Sequence, residues 1–156
     1  MTIKLSKTVG LTGQVYAVDV NSSRLERLNQ YLKDRKIENV KTINGDNDNP
    51  KTPRNRLDAV LILDTYHEID DYQSVLKHLK ASLNASGKLV IIEPIADERK
   101  DWTRKNQTAR HEIAIRYVLK EVEKAGFKII EKKDPFLDRT EEKGDKLWML
   151  VAVKDD

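Results

Sequence analysis

Three observations predict an α/β fold with a doubly wound, mostly parallel sheet. Short apolar runs of strand length alternate with longer helical patterns along the chain. Residues 57–63 form a continuous apolar run, which is typical of a strand that is covered on both faces. The last two runs, residues 127–131 and 147–153, are joined by no helical pattern, so they predict an antiparallel pair of strands.

The first half of the chain alternates strand, helix, strand and strand. Residues 15–20 predict a strand, and residues 22–35 predict a helix with its leucines on one face. This helix begins either with a capping box of Ser23 and Glu26 or with Asn21 as its cap, and both alternatives remain open. A short strand follows at residues 40–43, and residues 44–56 predict a loop before the strand at residues 57–63.

The second half begins with a helix that Asp70 or Asp71 caps and that runs to about Leu83. Gly87 suits a left-handed turn at its C-terminal end. A buried strand is predicted at residues 89–92, a polar loop at residues 97–108 and a helix at residues 109–124. The two strands at residues 127–131 and 147–153 complete the fold.

Composition favours one domain over residues 1–156 and excludes several classes of protein. Cysteine is absent, which excludes disulfides and thiolate metal sites. The net charge is only +3 and basic residues are interleaved with acidic ones, so a nucleic-acid partner is not expected. Lys4 and Lys7 interrupt the N-terminal apolar residues, and no run reaches the length of a membrane helix. We therefore expect a cytoplasmic protein with no membrane contact.

Several short sequences, in this order, resemble those of class I S-adenosylmethionine-dependent methyltransferases, a Rossmann-like family. The resemblance covers nearly the whole chain. Two segments contribute acids: residues 13–19 form a strand that ends on one, and residues 44–46 contain a second. Residues 57–68 form an apolar strand and its turn, and residues 83–92 form a strand preceded by small residues. Residues 124–127 lead into the last two strands.

The resemblance implies S-adenosylmethionine as cofactor and methyl transfer to an acceptor that the sequence leaves unknown. Asp19 with Val20 would hold the ribose, because open α/β sheets place ligands at the carboxyl ends of their strands. Asp46 with Asn47 would face the adenine. Leu63 and Asp64 would lie near the methionine end. Tyr66 and His67 would line the pocket for the methyl acceptor.

The chain departs from the family pattern before residue 15. The family begins with a strand and a glycine-rich turn that contacts the methionine part of the cofactor, and residues 5–10 resemble only the end of the following helix. We therefore expect a domain that lacks the first strand and the glycine-rich turn, as if truncated before the second strand, with much weakened cofactor affinity. The strand edges left open have three possible outcomes. Residues 15–20 pair directly with residues 57–63, the N-terminal segment adds to the sheet as an antiparallel strand, or a second copy of the chain covers the edges in a homodimer.

Each candidate residue also has a purely structural interpretation. Asp19 could cap the following turn, and Asp46 could belong to an Asn-Gly-Asp turn. His67 could orient or deprotonate an acceptor, or could be a packed histidine that bonds to a loop carbonyl. Glu93 ends a strand and could reach substrate. His78 is expected to face solvent, and His111 is expected to be structural or at the surface. Three histidines so far apart in sequence predict no metal site.

Two functions therefore remain. One is an S-adenosylmethionine-dependent methyltransferase domain, with no catalytic residue assigned. The other is a catalytically inactive, methyltransferase-like partner subunit or fragment. A nicotinamide-binding domain is a weaker third possibility, because no Gly-x-Gly-x-x-Gly sequence follows any strand.

Overall fold

The computed structural model describes residues 1–155, and the chain divides into two compact units, Met1–Thr52 and Pro53–Asp156. Each unit combines helices with strands, so the α/β class is confirmed. Single-domain organisation over the whole chain stays a prediction. None of the helices in the described residues is long and apolar enough to cross a bilayer.

The first unit contains two helices and a two-stranded parallel sheet. Its elements are α1 (Thr2–Val9), β1 (Val15–Asp19), α2 (Ser22–Asp34) and β2 (Val40–Asn44). The two strands run in register from Val15 opposite Val40 to Asp19 opposite Asn44. Leu25, Leu32 and Val40 are the buried apolar side chains of this unit. The sheet therefore rests on a small core.

Local hydrogen bonds define the ends of both helices in this unit. The Asn21 side chain accepts a hydrogen bond from the Arg24 amide (3.1 Å), so Asn21 is the cap of α2. Helix α1 ends at Gly10, whose φ of 69° lies in the left-handed region that favours glycine. The Asn39 amide group donates to the main-chain oxygens of Ser6 (2.9 Å) and Gly10 (2.8 Å), which fixes α1 against the start of β2.

The second unit is built on a four-stranded mixed sheet. Its strands are β3 (Leu57–Leu63), β4 (Leu83–Ile95), β5 (Phe127–Arg139) and β6 (Asp145–Lys154), in the spatial order β3-β4-β6-β5. Strands β3 and β4 are parallel, and β6 is antiparallel to both β4 and β5, which confirms the predicted antiparallel final pair. The helices are α3 (Tyr72–Ser82), α4 (Arg104–Thr108), α5 (Ile115–Lys124) and α6 (Thr140–Lys143).

The core of the second unit lies between the sheet and helices α3 and α5. Leu89 and Ile91 of β4, Leu150 of β6 and Val118 of α5 are fully buried in it. Trp148 is also fully buried, and its indole N–H donates to the Ile113 carbonyl (2.7 Å). This satisfied indole holds the segment before α5 against the sheet.

The prediction of a C-terminal glycine turn after α3 is wrong, because α3 passes directly into β4 and Gly87 lies inside that strand. A Cβ atom on Gly87 would lie 2.8 Å from the Leu57 carbonyl oxygen and 2.9 Å from Cδ2 of Leu83. Glycine is therefore required by the close approach of β3 to β4 rather than by a turn.

The prediction of a loop over residues 97–108 is also wrong. This segment contains a 3₁₀ turn at Asp97–Arg99 and helix α4, and Gln107 is fully buried beneath it. The Gln107 side chain donates to the carbonyls of Arg99 (2.7 Å) and Lys100 (3.0 Å) and accepts from the Ala114 amide (2.9 Å). The following helix begins only at Ile115, because residues 109–114 are held in an irregular path by these bonds.

Two of the three predicted arrangements of the open strand edges are wrong. In the described residues β1 is hydrogen-bonded to β2 and β3 to β4, so residues 15–20 do not pair with residues 57–63. The N-terminal segment forms helix α1 instead of an antiparallel strand, because its apolar residues recur at helical spacing. Homodimerisation through the open edges stays a prediction.

Candidate functional site

The carboxyl ends of β1 and β2 carry the first group of candidate residues. Asp19 is the last residue of β1, and its side chain is 30% exposed. One carboxylate oxygen accepts from the Asn21 amide (2.9 Å), and the other lies 3.8 Å from the Arg24 guanidinium. The capping interpretation of Asp19 is therefore met, and its second oxygen remains available to a ligand hydroxyl.

The two strand ends are tied together by backbone and amide contacts. The Asn44 side chain donates to the carbonyls of Asp19 and Val20, both at 3.1 Å, and the Gly45 amide donates to Asp19 (3.2 Å). Asp46 lies in the turn that follows, where its carboxylate pairs with Lys51 (2.7 Å). We call Asp19, Val20, Asp46 and Asn47 the carboxylate rim.

The side chains of the carboxylate rim fit the nucleoside part of S-adenosylmethionine. Carboxylates accept hydrogen bonds from ribose hydroxyls and from an adenine amino group. The Val20 side chain is 57% exposed and offers an apolar contact to a base. The only glycines before β1, Gly10 and Gly13, end and follow α1, and neither belongs to a glycine-rich turn. The residues present therefore fit the adenosine part of the cofactor.

The turn after β3 carries the second group of candidates. Leu63 ends β3, and Asp64 takes a left-handed conformation (φ 51°) while its amide donates to the Ile92 carbonyl (2.9 Å). The amides of Thr65 and Tyr66 then both donate to one oxygen of Glu93, at 2.6 and 2.7 Å. Glu93 is fully buried near the end of β4, so it anchors the turn on the neighbouring strand.

His67 pairs with the other oxygen of Glu93. Its Nδ1 lies 2.5 Å from this oxygen, and its Nε2 lies 3.3 Å from a Glu68 oxygen. Burial disfavours the charged imidazole, but the hydrogen bond to Glu93 and the charges of Glu93, Glu68 and Asp64 outweigh it, so the pKa of His67 is raised above 6.5. Each ring nitrogen of His67 therefore faces a carboxylate oxygen, Nδ1 that of Glu93 and Nε2 that of Glu68.

Tyr66 lies in the core of the second unit rather than at its surface. Its ring is fully buried, and its hydroxyl donates to Glu121 (2.9 Å), which also pairs with Arg104 (2.7 Å). Burial and the neighbouring Glu121 carboxylate raise the pKa of Tyr66 far above its ordinary value of 10. Tyr66 is therefore a positioning group for the turn, and its role in lining an acceptor pocket stays a prediction.

Two features of this region escaped the sequence reasoning. Glu93 is fully buried and paired, whereas Asp19, which also ends an apolar strand, is partly exposed, so the position at a strand end does not by itself predict a buried carboxylate. His111 lies 43 positions after Glu68, yet its Nδ1 lies 2.5 Å from a Glu68 oxygen and its ring centroid lies 5.8 Å from that of His67. This contact depends on the irregular path of residues 109–114, which no sequence pattern predicts.

The sequence profile of a family described as "Methyltransferase domain" matches residues 1–87. The demethylmenaquinone methyltransferase of Geobacillus sp. (strain WCH70) is 36% identical over 92 residues, which are 59% of this chain and 39% of that protein. The enzyme of the same name from Staphylococcus saprophyticus shows the same identity and coverage. The chain thus spans about two fifths of the length of these curated relatives.

Solved structures show the same fold at low sequence identity. An S-adenosylmethionine-dependent methyltransferase from Aquifex aeolicus superposes with a TM-score of 0.78 at 21% identity, over 97% of this chain and 74% of that one. The [4+2]-cyclase SpnF superposes with a TM-score of 0.77 at 14% identity, over 98% of this chain and 69% of that one. A fold that includes a cyclase does not by itself determine the reaction.

Proposed function

The chain belongs to the methyltransferase domain family, and we propose that it forms the cofactor-binding part of an enzyme that transfers a methyl group to an acceptor. S-adenosylmethionine is the cofactor that the family and its structural neighbours imply. The observation that carries the proposal is the carboxylate rim at the carboxyl ends of β1 and β2, where open α/β sheets bind nucleotide-like ligands.

The residues of the chain bind and orient in this proposal. Bound S-adenosylmethionine supplies a methyl group on a positively charged sulfur. Asp19 accepts hydrogen bonds from the ribose hydroxyls, and Asp46 with Asn47 faces the adenine. Methyl transfer depends mainly on the alignment of donor and acceptor, and alignment in a closed site contributes about 7–11 kcal/mol in well-oriented reactions.

His67 is the residue that we propose to orient the acceptor. Glu93 fixes its ring through Nδ1, and we propose that Nε2, which faces the exposed Glu68 side chain, forms the hydrogen bond to a hydroxyl group of the acceptor. Demethylmenaquinone is the first acceptor to test, because the curated relatives are demethylmenaquinone methyltransferases.

A second candidate function is a methyltransferase-like partner subunit without activity of its own. The observation that favours it is the absence of a glycine cluster from residues 1–14, which leaves the methionine part of the cofactor with fewer contacts. In this case the chain binds the cofactor weakly and transfers no methyl group. The predicted homodimer and the cytoplasmic location are compatible with both candidates, and mass measurement in solution tests the homodimer.

Calorimetric titration with S-adenosylmethionine, S-adenosylhomocysteine and NAD tests the cofactor. We expect weak but saturable binding of the first two and none of NAD. Asp19→Ala should weaken binding at least tenfold, whereas Glu26→Ala on the exposed face of α2 should leave it unchanged. Equal binding by both variants, or no binding of either sulfur compound, would refute the role of the carboxylate rim.

Mass spectrometry of the products tests the reaction. A methylated product from demethylmenaquinone and S-adenosylmethionine, reduced by His67→Ala with cofactor affinity unchanged, is the result expected of an enzyme. Cofactor binding with no methylated product favours the inactive partner subunit. Ordinary micromolar affinity for S-adenosylmethionine would contradict the expected effect of the missing glycine cluster.

A further inference from the structure

We propose that His67, Glu68 and His111 form a binding site for a divalent transition-metal ion, with zinc as the metal that fits best. One ligand atom from each residue lies within 4.8 Å of the other two. Two imidazoles and one carboxylate are a ligand set that zinc uses in sites with three protein ligands and one open position. The proposal concerns binding alone and does not depend on methyl transfer.

One of the distances between the ligand atoms already suits a tetrahedral ion, and a second can reach the required spacing by a small movement at the surface. Ligands about 2.0–2.2 Å from zinc lie roughly 3.3–3.5 Å apart in a tetrahedron. His67 Nε2 and the nearer Glu68 oxygen are already 3.3 Å apart. His111 Nδ1 is hydrogen-bonded to the same oxygen at 2.5 Å and has to move away by roughly 0.8–1.0 Å to reach that spacing. The side chains of His111 and Glu68 are 74% and 56% exposed, so they are free to make this movement.

Glu93 prepares His67 to be a ligand. A histidine that binds a metal through one ring nitrogen commonly donates the N–H of the other to a carboxylate, which fixes the tautomer and the ring orientation. The His67 side chain is only 4% exposed, and its Nδ1 faces the fully buried Glu93 carboxylate, which two backbone amides hold in place. Contacts within the chain therefore fix the rigid part of the site.

The charges around His67 favour a cation. Oxygens of Glu93 and Glu68 lie 2.5 and 3.3 Å from the two ring nitrogens of His67, and an Asp64 oxygen lies within 4.8 Å of the ligand atoms of His67 and Glu93, so three carboxylates surround the ring. A different triad, Asp64 with His67 and Glu93, also has its ligand atoms within 4.8 Å. Glu93 in that triad is already the acceptor of two amides and of the imidazole, so the triad with Glu68 and His111 is the better site.

Metal binding and the proposed orientation of an acceptor use the same nitrogen, Nε2 of His67, so the two exclude each other at any one moment. The tests therefore read metal binding directly. Calorimetry with Zn²⁺ and the visible absorption of bound Co²⁺ are suitable, because the chain has no cysteine and only three histidines. The full chain is used without a histidine tag.

The key variants are His111→Ala and Glu68→Gln, and the matched control is His78→Ala. His78 is the third histidine and lies exposed on α3. We expect one saturable site in the wild type, a loss of affinity of at least tenfold in the two key variants, and no change in His78→Ala. Zn²⁺ should also raise the melting temperature of the wild type and of His78→Ala, but not that of His111→Ala.

Glu93→Gln is a further test, because loss of Zn²⁺ affinity in this variant is not expected if the ion binds only to exposed histidines at the surface. Its amide group donates to Nδ1 of His67 and places the ring proton on Nε2, which removes the ligand nitrogen. Affinity for Zn²⁺ should fall by about 10–100-fold while the melting temperature without metal shows that the variant is folded. Equal Zn²⁺ affinity in His111→Ala and His78→Ala, or no saturable binding at millimolar Zn²⁺, would overturn the proposal.

Discussion

The two units of the molecule hold their candidate carboxylates, Asp19 and Glu93, in opposite ways. Asp19 in the first unit is 30% exposed, and one of its oxygens has only a long contact with Arg24 (3.8 Å). Glu93 in the second unit is fully buried, and its two oxygens accept from two amides and one imidazole. An exposed carboxylate can exchange water for a ligand, whereas a buried one can only position other groups.

The two units also differ in the size of their buried apolar cores, and the smaller core belongs to the first unit. The first unit buries few apolar side chains beneath a two-stranded sheet, and such a sheet is marginally stable by itself. The second unit buries a continuous apolar cluster between four strands and two helices. We therefore expect the first unit, which holds the proposed nucleoside site, to be less stable than the second unit, which positions His67.

Removal of each carboxylate gives the sharpest test of this comparison. Glu93→Ala leaves the buried donors of Tyr66 and His67 and the amide of Thr65 without a partner, and it should lower the free energy of unfolding by about 3–5 kcal/mol. Asp19→Ala loses one partly exposed hydrogen bond and should cost about 1 kcal/mol or less. Denaturant unfolding of both variants measures the difference. Equal losses of stability would show that the two carboxylates are held alike.

Matched truncations of leucine compare the two cores. Leu150→Ala in β6 should cost about 2–5 kcal/mol, because the side chain is fully buried in the large cluster. Leu32→Ala in α2 should cost less, since fewer buried side chains surround it. Hydrogen exchange of the full chain should further show faster exchange in β1 and β2 than in β4 and β6. A larger effect of Leu32→Ala would reverse the assigned order of stability.

Removal of the α2 cap tests the contribution of local structure to the weaker unit. Asn21→Ala removes the acceptor of the Arg24 amide and should cost about 1 kcal/mol. The Asn21→Ser variant keeps a side-chain acceptor and should restore most of this stability. Amide exchange in α2 is the appropriate measurement. Unchanged exchange in the alanine variant would mean that tertiary contacts alone hold this helix end.

Asp71 is the cap of α3, because its carboxylate accepts a hydrogen bond from the Ser74 amide (3.0 Å). Its substitution gives the smallest predicted effect, and this effect depends on pH. Hydrogen bonds from Ser74 lower the pKa of Asp71 below its ordinary value of 3.8. A lowered pKa in the folded state means that the ionised group stabilises the fold above pH 3.8 and that this contribution is lost as the pH falls below it.

The Asp71→Asn variant keeps a side-chain acceptor and removes only the charge. Its difference in melting temperature from the wild type should be present at pH 6 and should shrink on acidification below about pH 4. The corresponding difference for Asn21→Ala should stay constant over the same range, because asparagine does not titrate. A constant difference for Asp71→Asn would contradict the role of its charge at the start of α3.

Local patterns were sufficient where one segment determines its own structure. The alternation of apolar runs and helical patterns predicted the α/β class, and the short connection before β6 predicted the antiparallel final pair. The positions of β1, α2, β2 and β3 followed from periodicity and from the acids and asparagines at their ends. Gly87 and Gln107 did not follow, because their roles depend on partners far away in sequence.

By itself, the sequence determined the strands and the acids at their carboxyl ends, since hydrophobic periodicity and the end of an apolar run are properties of neighbouring residues. Only the tertiary structure decided the pairing of Glu93 with the turn after β3 and the meeting of His67 with His111. Burial allows a carboxylate to persist only where donors from another segment satisfy it, and the packing of residues 109–114 beneath α4 brings His111 to Glu68.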